Sequence, residues 1–156
     1  MLLPEVSNSA ECWQGWFDGS ALPNPGKLGL GLVLMAPDGE RHERSLHPAG
    51  SGCNNEAELL ALCALFELAD EMGARHLTIH SDSDVTVRYV NGRDSTAIPR
   101  LHLLVCRAQA WLPKFEQVDL RWVPRHRNQG ADALSRSALG LLAKSLVKAG
   151  KKRQKR

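Results

Sequence analysis

The stretch Phe17-Asp18-Gly19-Ser20-Ala21-Leu22-Pro23-Asn24-Pro25-Gly26 sets one carboxylate at the end of an apolar run through Trp13 and Trp16, with turn residues close behind. A carboxylate at the end of a buried strand is costly to desolvate. It needs a counter-charge, a hydrogen-bond set or a metal. Gly19, Pro23, Asn24, Pro25 and Gly26 predict a tight reversal whose outward backbone amides and Asn24 amide can hold a phosphate or a sugar. Alone, Asp18 could equally cap that turn, so its meaning depends on its partners.

Three more acidic residues sit at predicted element ends: Glu58 in Asn54-Asn55-Glu56-Ala57-Glu58-Leu59, Asp82 in Thr78-Ile79-His80-Ser81-Asp82-Ser83, and Asp132 in Asn128-Gln129-Gly130-Ala131-Asp132-Ala133-Leu134. In order and approximate spacing, the four segments resemble ribonuclease H of the bacterial type 1 class, from about Trp13 to about Leu139. Each segment alone is weak; the ordered set is specific. The resemblance implies an α/β ribonuclease H-like fold.

A chain of 156 residues makes one ordinary domain with a self-sufficient core. Cys12, Cys53, Cys63 and Cys106 form no Cys-x-x-Cys pair and no zinc spacing, so they are expected as reduced thiols of a cytoplasmic protein. The N-terminus lacks a basic segment before a long apolar run, and no apolar stretch approaches membrane-spanning length. Neither a signal peptide nor a membrane partner is expected.

The net charge of +3 conceals an asymmetry. No Asp or Glu follows Asp132, whereas residues 141–156 carry seven Lys or Arg, leaving 13 basic against 17 acidic residues in 1–140. An acidic body with a basic end suits a cation site plus a polyanion handle, though a solvated tail has the same composition. The expected organisation is a flexible leader over 1–11, a catalytic domain over 12–140, and a basic tail over 141–156 made of the end of the last helix and a mobile arm.

Along the chain, Trp13 to Asp18 reads as a first strand. Gly29 to Met35 reads as a second, with Leu30, Leu32 and Leu34 on one face and glycines opposite, where another element can approach. Ala36-Pro37-Asp38-Gly39 predicts a hairpin into a polar edge strand over 40–47, with His42 and His47 solvated. Helix 1 is expected to start at Asn54 or Asn55 as N-cap and to end before Gly73; Glu58, Leu62, Leu65 and Ala69 share its inward face. Glu56, about 200° away, faces elsewhere. Strand four covers 76–80, a short helix 83–91, a helix opening at Pro99 runs to Leu112, strand five covers 118–123, and a terminal helix runs from Gln129 through Leu139, Leu142, Leu146 and Ala149 to Gly150. The order β-β-β-α-β-α-α-β-α predicts a five-stranded mixed sheet flanked by helices.

In this topology the carboxyl ends of strands one and four bring Asp18 beside Asp82, and two helix starts bring Glu58 and Asp132 to the same rim. Four converging carboxylates with no Lys or Arg nearby call for cations, and oxygen-only ligands suit Mg²⁺, with Mn²⁺ as substitute. By resemblance, Asp18 would bridge two ions, Glu58 and Asp82 would complete the first site, and Asp132 would hold the second. The implied reaction is endonucleolytic hydrolysis of the RNA strand of an RNA/DNA hybrid by a monomeric enzyme, giving 5′-phosphate and 3′-hydroxyl ends. Asn24, Asn54 and Asn55 match the family's asparagines near the scissile region, and His126 resembles a mobile family histidine tied to proton transfer or product release.

The chain departs from the family pattern in two places. Asp84 stands where a Gln is common, which could add cation binding. Between Asn91 and Arg100 only residues 92–99 replace the basic handle of well-known bacterial members, so duplex affinity is expected from Arg125, Arg127 and the tail residues Lys151, Lys152, Arg153, Lys155 and Arg156. A non-catalytic hybrid-binding module and another nuclease of the same fold are the alternatives.

Overall fold

A computed structural model describes residues 11–141. Of the expected leader and basic tail, all but Glu11 and Leu141 therefore lies outside the described residues, including Lys151, Lys152, Arg153, Lys155 and Arg156. The chain runs β1 (Cys12–Leu22), β2 (Gly26–Met35), β3 (Arg41–Leu46), β4 (Ser51–Gly52), α1 (Asn54–Glu71), β5 (His76–Ser81), α2 (Asp84–Val90), α3 (Pro99–Trp111), β6 (Gln117–Trp122) and α4 (Gln129–Ala138). Five strands lie in the order β3-β2-β1-β5-β6, and the two-residue β4, which the sequence did not signal, pairs with β2 off that path. The three hairpin strands are antiparallel; β1 to β5 and β5 to β6 are parallel.

The first strand continues past Asp18 to Leu22, and the reversal is confined to residues 23–25. Gly19 is not a turn residue: it pairs with Leu30 in the β1–β2 ladder. Its role is steric, because a Cβ there would stand 2.2 Å from the Ala57 carbonyl carbon of α1. Asp18 nevertheless lies at a boundary, since the parallel pairing with β5 ends at Trp16–His80, two residues earlier.

Alternation along the hairpin separates the two helical layers. Gly19 faces α1, and so do buried Phe17, Leu30, Leu32 and Leu34; Gly29 and Gly31, opposite Ser20 and Asp18, face α4. A Cβ on Gly31 would meet the Ala131 carbonyl oxygen at 2.0 Å, and one on Gly29 the Ser135 carbonyl oxygen at 2.3 Å. The glycine-lined face expected from sequence is thus where α4 lies flush on β2. The core fills the other side, where Phe66, Leu59, Leu62 and Leu65 of α1 are buried against the sheet and Leu101, Leu104 and Ala108 of α3 extend it.

Four local expectations change. The N-cap of α1 is Cys53, whose N–H donates to Glu56 Oε1 at 3.1 Å. Asn54 is instead the first helical residue: its Oδ1 accepts the Ala21 N–H at 2.8 Å, and its own N–H donates to Asn24 Oδ1 at 3.0 Å. The last helix stops at Ala138, because Gly140 adopts φ +74 and the Leu141 N–H closes onto the Arg136 carbonyl at 2.8 Å. Apolar periodicity persists across Gly140, but the backbone takes the left-handed cap that glycine makes inexpensive. His42 is half-buried and pairs with Glu40 at 3.2 Å rather than standing free in solvent, whereas His47 is exposed as expected, with a ring nitrogen bonding the Leu28 carbonyl at 2.8 Å. Among the described residues no helix is long and apolar enough to cross a membrane.

The flush contact predicts that Gly31→Ala destabilises the fold by about 1–3 kcal/mol through overpacking against backbone. Gly130→Ala, whose Cβ would have its nearest neighbours at 3.6 Å, should change stability little. Urea denaturation of both variants checks the contrast.

Candidate metal centre

Asp18, Glu58 and Asp82 each offer a carboxylate oxygen within 4.8 Å of the others. They come from three elements. Asp18 lies mid-β1 beyond the end of its pairing with β5, Asp82 follows β5, and Glu58 lies in the first turns of α1. Glu58 crosses from the α1 layer to meet Asp18, and the close approach over Gly19 makes this possible. Glu56 points away as its helical phase requires, and Arg100 Nε donates to it at 2.9 Å.

Asp132 is buried on α4 and stands outside that trio, close enough for its charge to act on Asp18. The sequence-predicted quartet is therefore three carboxylates within 4.8 Å of one another and a fourth alongside. Asp84 is not among them; it forms an i,i+4 pair with Arg88 at 3.0 Å.

Burial, followed by the charges of Asp82 and Asp132, lifts the Asp18 carboxyl from an ordinary 3.8 to about 7, against the opposing pull of a hydrogen bond from Ser135. Burial and the charges of Asp18 and Asp82 push Glu58 well above the usual carboxylate range. Glu58 Oε2 is buried with no hydrogen-bond partner among the described residues. An unpartnered buried oxygen, like charges in contact and an all-oxygen donor set fit a hard divalent cation.

The trio opens into a cavity of about 220 Å³ also lined by Gly19, Ser20, Asn54, Asn55, Ser83 and Arg125. Arg125 corrects the expectation that no cationic side chain stands near. It comes from the short turn Arg125–Arg127, brought to β5 where the Val123 N–H donates to the Ser81 carbonyl at 2.8 Å. His126 and Arg127 line a second cavity with Trp16, Val33, Arg41 and the start of α4. Asn24 is exposed and reaches the site only through its bond to Asn54.

Sequence reading missed two groups. Asn128, almost fully buried, donates its Nδ2–H to the Phe17 carbonyl at 2.8 Å, tying the start of α4 to the residue before Asp18. Ser135 donates to Asp18 Oδ2 at 2.6 Å. Its signal was the i,i+3 spacing from Asp132, which puts both on one helical face.

The family model described as reverse transcriptase-like matches residues 16–138. A ribonuclease HI of Halobacterium salinarum is 34% identical over 124 residues, covering 80% of this chain and 62% of that protein. The crystal structure of RNase H1 from the same archaeon superposes with a TM-score of 0.79 at 33% identity, over 83% of this chain and 98% of that one. A bifunctional protein of Mycobacterium tuberculosis is 34% identical over 129 residues, 82% of this chain but 35% of its own length. Its N-terminal RNase H domain, solved as a fusion, gives a TM-score of 0.75 at 30% identity, covering 83% and 94% of the two chains. An RNase H1 isolated from compost, solved in complex with an RNA/DNA hybrid, gives 0.75 at 26% identity over 82% and 96%. The chain thus spans about a third of the mycobacterial relative and under two thirds of the halobacterial one.

Two predictions follow from the site's electrostatics and layout. A carboxyl whose folded pKa is raised favours the fold below its ordinary value, and that contribution is lost as pH rises towards the folded value. In EDTA, the melting temperature of Asp18→Asn minus that of the wild type should therefore grow from pH 4 to pH 7, and Mg²⁺ should shrink the difference at pH 7. A gap independent of pH would show that Asp18 ionises normally. Separately, His126→Ala should keep turnover of a hybrid substrate within about twofold, because His126 opens onto the second cavity; a loss of about 10²-fold, the scale of general acid–base help, would place it in the chemistry.

Proposed function

The chain belongs to the reverse transcriptase-like family that includes these ribonucleases H, and we propose that it is an endoribonuclease hydrolysing the RNA strand of RNA/DNA hybrids to 5′-phosphate and 3′-hydroxyl ends. The observation that carries the reading is the contact of Asp18, Glu58 and Asp82 at the mouth of a polar cavity, with one carboxylate oxygen buried and unpartnered. A non-catalytic binding module has no need of such a costly arrangement.

In this reading Asp18, Glu58 and Asp82 would hold one Mg²⁺, with Mn²⁺ as substitute, and Asp18 and Asp132 would hold a second. Bound there, the ions would supply an activated water and neutralise charge at the leaving oxygen. The protein's own part is placement. α1 and β5 fix two acids against Asp18, and α4 brings Asp132 from the opposite face.

Substrate choice belongs to the rim. Asn54 Oδ1 is occupied by the Ala21 N–H, so its Nδ2, with the Asn55 amide, is the group a 2′-hydroxyl would meet, and such hydroxyls distinguish RNA from DNA. Asn24 keeps Asn54 in place. Arg125, at the cavity wall, and Arg127, next along, would take backbone phosphates. The cationic residues Lys151, Lys152, Arg153, Lys155 and Arg156 would add sequence-independent affinity in place of the missing handle. The reading extends to a monomer in the cytoplasm, in keeping with four unpaired cysteines.

Asp18→Asn should abolish hybrid cleavage while preserving the fold. The assay is full-length protein on labelled RNA/DNA hybrid, double-stranded RNA and duplex DNA, with and without Mg²⁺. Wild-type cleavage confined to the RNA strand of the hybrid, and lost in EDTA, is the expected result. Near-normal turnover by Asp18→Asn in Mg²⁺ would sink the assignment.

A further inference from the structure

We propose that Ser135 is a positioning residue for this centre: its hydroxyl fixes the Asp18 carboxylate and locks it to the helical turn that carries Asp132. The inference rests on the metal-dependent reading above.

Ser135 is fully buried, and its Oγ lies 2.6 Å from Asp18 Oδ2 and 3.3 Å from the Asp132 carbonyl oxygen. A hydroxyl carries one proton, and the shorter contact to the acidic oxygen takes it. Ser20 Oγ, 3.0 Å from Ser135 Oγ, then donates in turn, giving a directed chain from Ser20 through Ser135 to Asp18. Ser20 is two residues from Asp18 on the same face of β1, so strand alternation supplies the outer link.

A side chain as short as serine spans two layers here only because β2 contributes no side chains between them. The Ser135 carbonyl oxygen stands 2.3 Å from where a Gly29 Cβ would be, and the Ser135 nitrogen stands 2.6 Å from a Gly31 Cβ position. Asp132 and Ser135, at i and i+3, leave the same face of α4. One rigid turn thus delivers one carboxylate and orients another. With Oδ2 directed at Ser135, the torsion of the Asp18 carboxylate is set before any cation arrives. Such orienting partners of ligating carboxylates commonly govern affinity by 10- to 100-fold.

The competing role is packing alone, in which the hydroxyl bonds back to the Asp132 carbonyl within the helix. The test uses full-length wild type, Ser135→Ala, Ser135→Thr and Asp18→Asn, with Mn²⁺ binding followed by electron paramagnetic resonance and melting temperatures recorded in EDTA. Hybrid cleavage is measured across metal concentrations. Ser135→Ala should raise the Mn²⁺ dissociation constant about 10- to 100-fold. Its KM for hybrid should hold and kcat should recover at high metal, even where loss of the bond to buried Asp18 lowers its melting temperature in EDTA. Ser135→Thr, which restores the hydroxyl, should bind Mn²⁺ more tightly than Ser135→Ala. Wild-type Mn²⁺ affinity in Ser135→Ala, with binding lost in Asp18→Asn, would overturn the positioning role and leave the metal reading intact. Wild-type affinity in Asp18→Asn would overturn both. A Ser135→Ala deficit that tracks a lowered melting temperature in EDTA and is not reversed by threonine would make Ser135 a packing residue.

Discussion

Burial of the Asp18 carboxylate against Glu58 and Asp82 is the contact on which the arrangement of this protein depends. Nothing in such a cluster favours its own formation: each acid loses hydration and gains a like-charged neighbour. The surrounding elements hold it because their apolar faces have no other way to pack. Phe17 lies in the core beside Asp18 in sequence, and Leu59 and Leu62 flank Glu58 on α1, so burying these side chains carries the acids inward. Stability made elsewhere is converted into electrostatic strain at one cavity, a common device of functional sites.

The second constraint is steric. β1 and β2 carry glycine wherever a helix backbone must pass within a Cβ of the sheet: Gly19 under α1, Gly29 and Gly31 under α4. Each missing side chain brings a carboxylate-bearing helix closer than ordinary helix-on-sheet packing allows. Because Gly19 and Gly31 lie on opposite faces, α1 and α4 both reach Asp18, one with Glu58 and the other with Ser135. A carboxylate approached from both layers can meet side chains of both at once.

The cavity wall follows a different logic. The acids face a cavity whose wall includes Arg125 and whose rim includes Asn54 and Asn55. Asn54 also stitches the β1–β2 turn to α1, so a residue at the cavity rim is part of the scaffold. Glu56 plays a quieter part: it caps the start of α1 at Cys53 and meets Arg100 of α3, which fixes the helix end from which Glu58 and both asparagines project.

Local chemistry in the sequence was enough to determine the element order apart from the two-residue β4, the inward phase of Glu58 against the outward phase of Glu56, the glycine face of β2, and the pairing of Asp18 with Asp82 across parallel strands. Each is a matter of periodicity, turn residues or strand order, which are properties of neighbours along the chain. Tertiary structure alone decided the rest. Asp18 lies within its strand because the β1–β2 ladder runs on for six residues after the pairing with β5 has stopped, and Gly19, turn-like by type, is there for the Ala57 backbone. α4 stops at Ala138, ahead of the left-handed Gly140, although its apolar rhythm continues, since backbone conformation overrides side-chain pattern. Arg125 in the cavity, Asn128 under Phe17 and Ser135 on Asp18 join residues more than 40 positions apart, and no spacing along the chain encodes a distance that only the meeting of two layers creates.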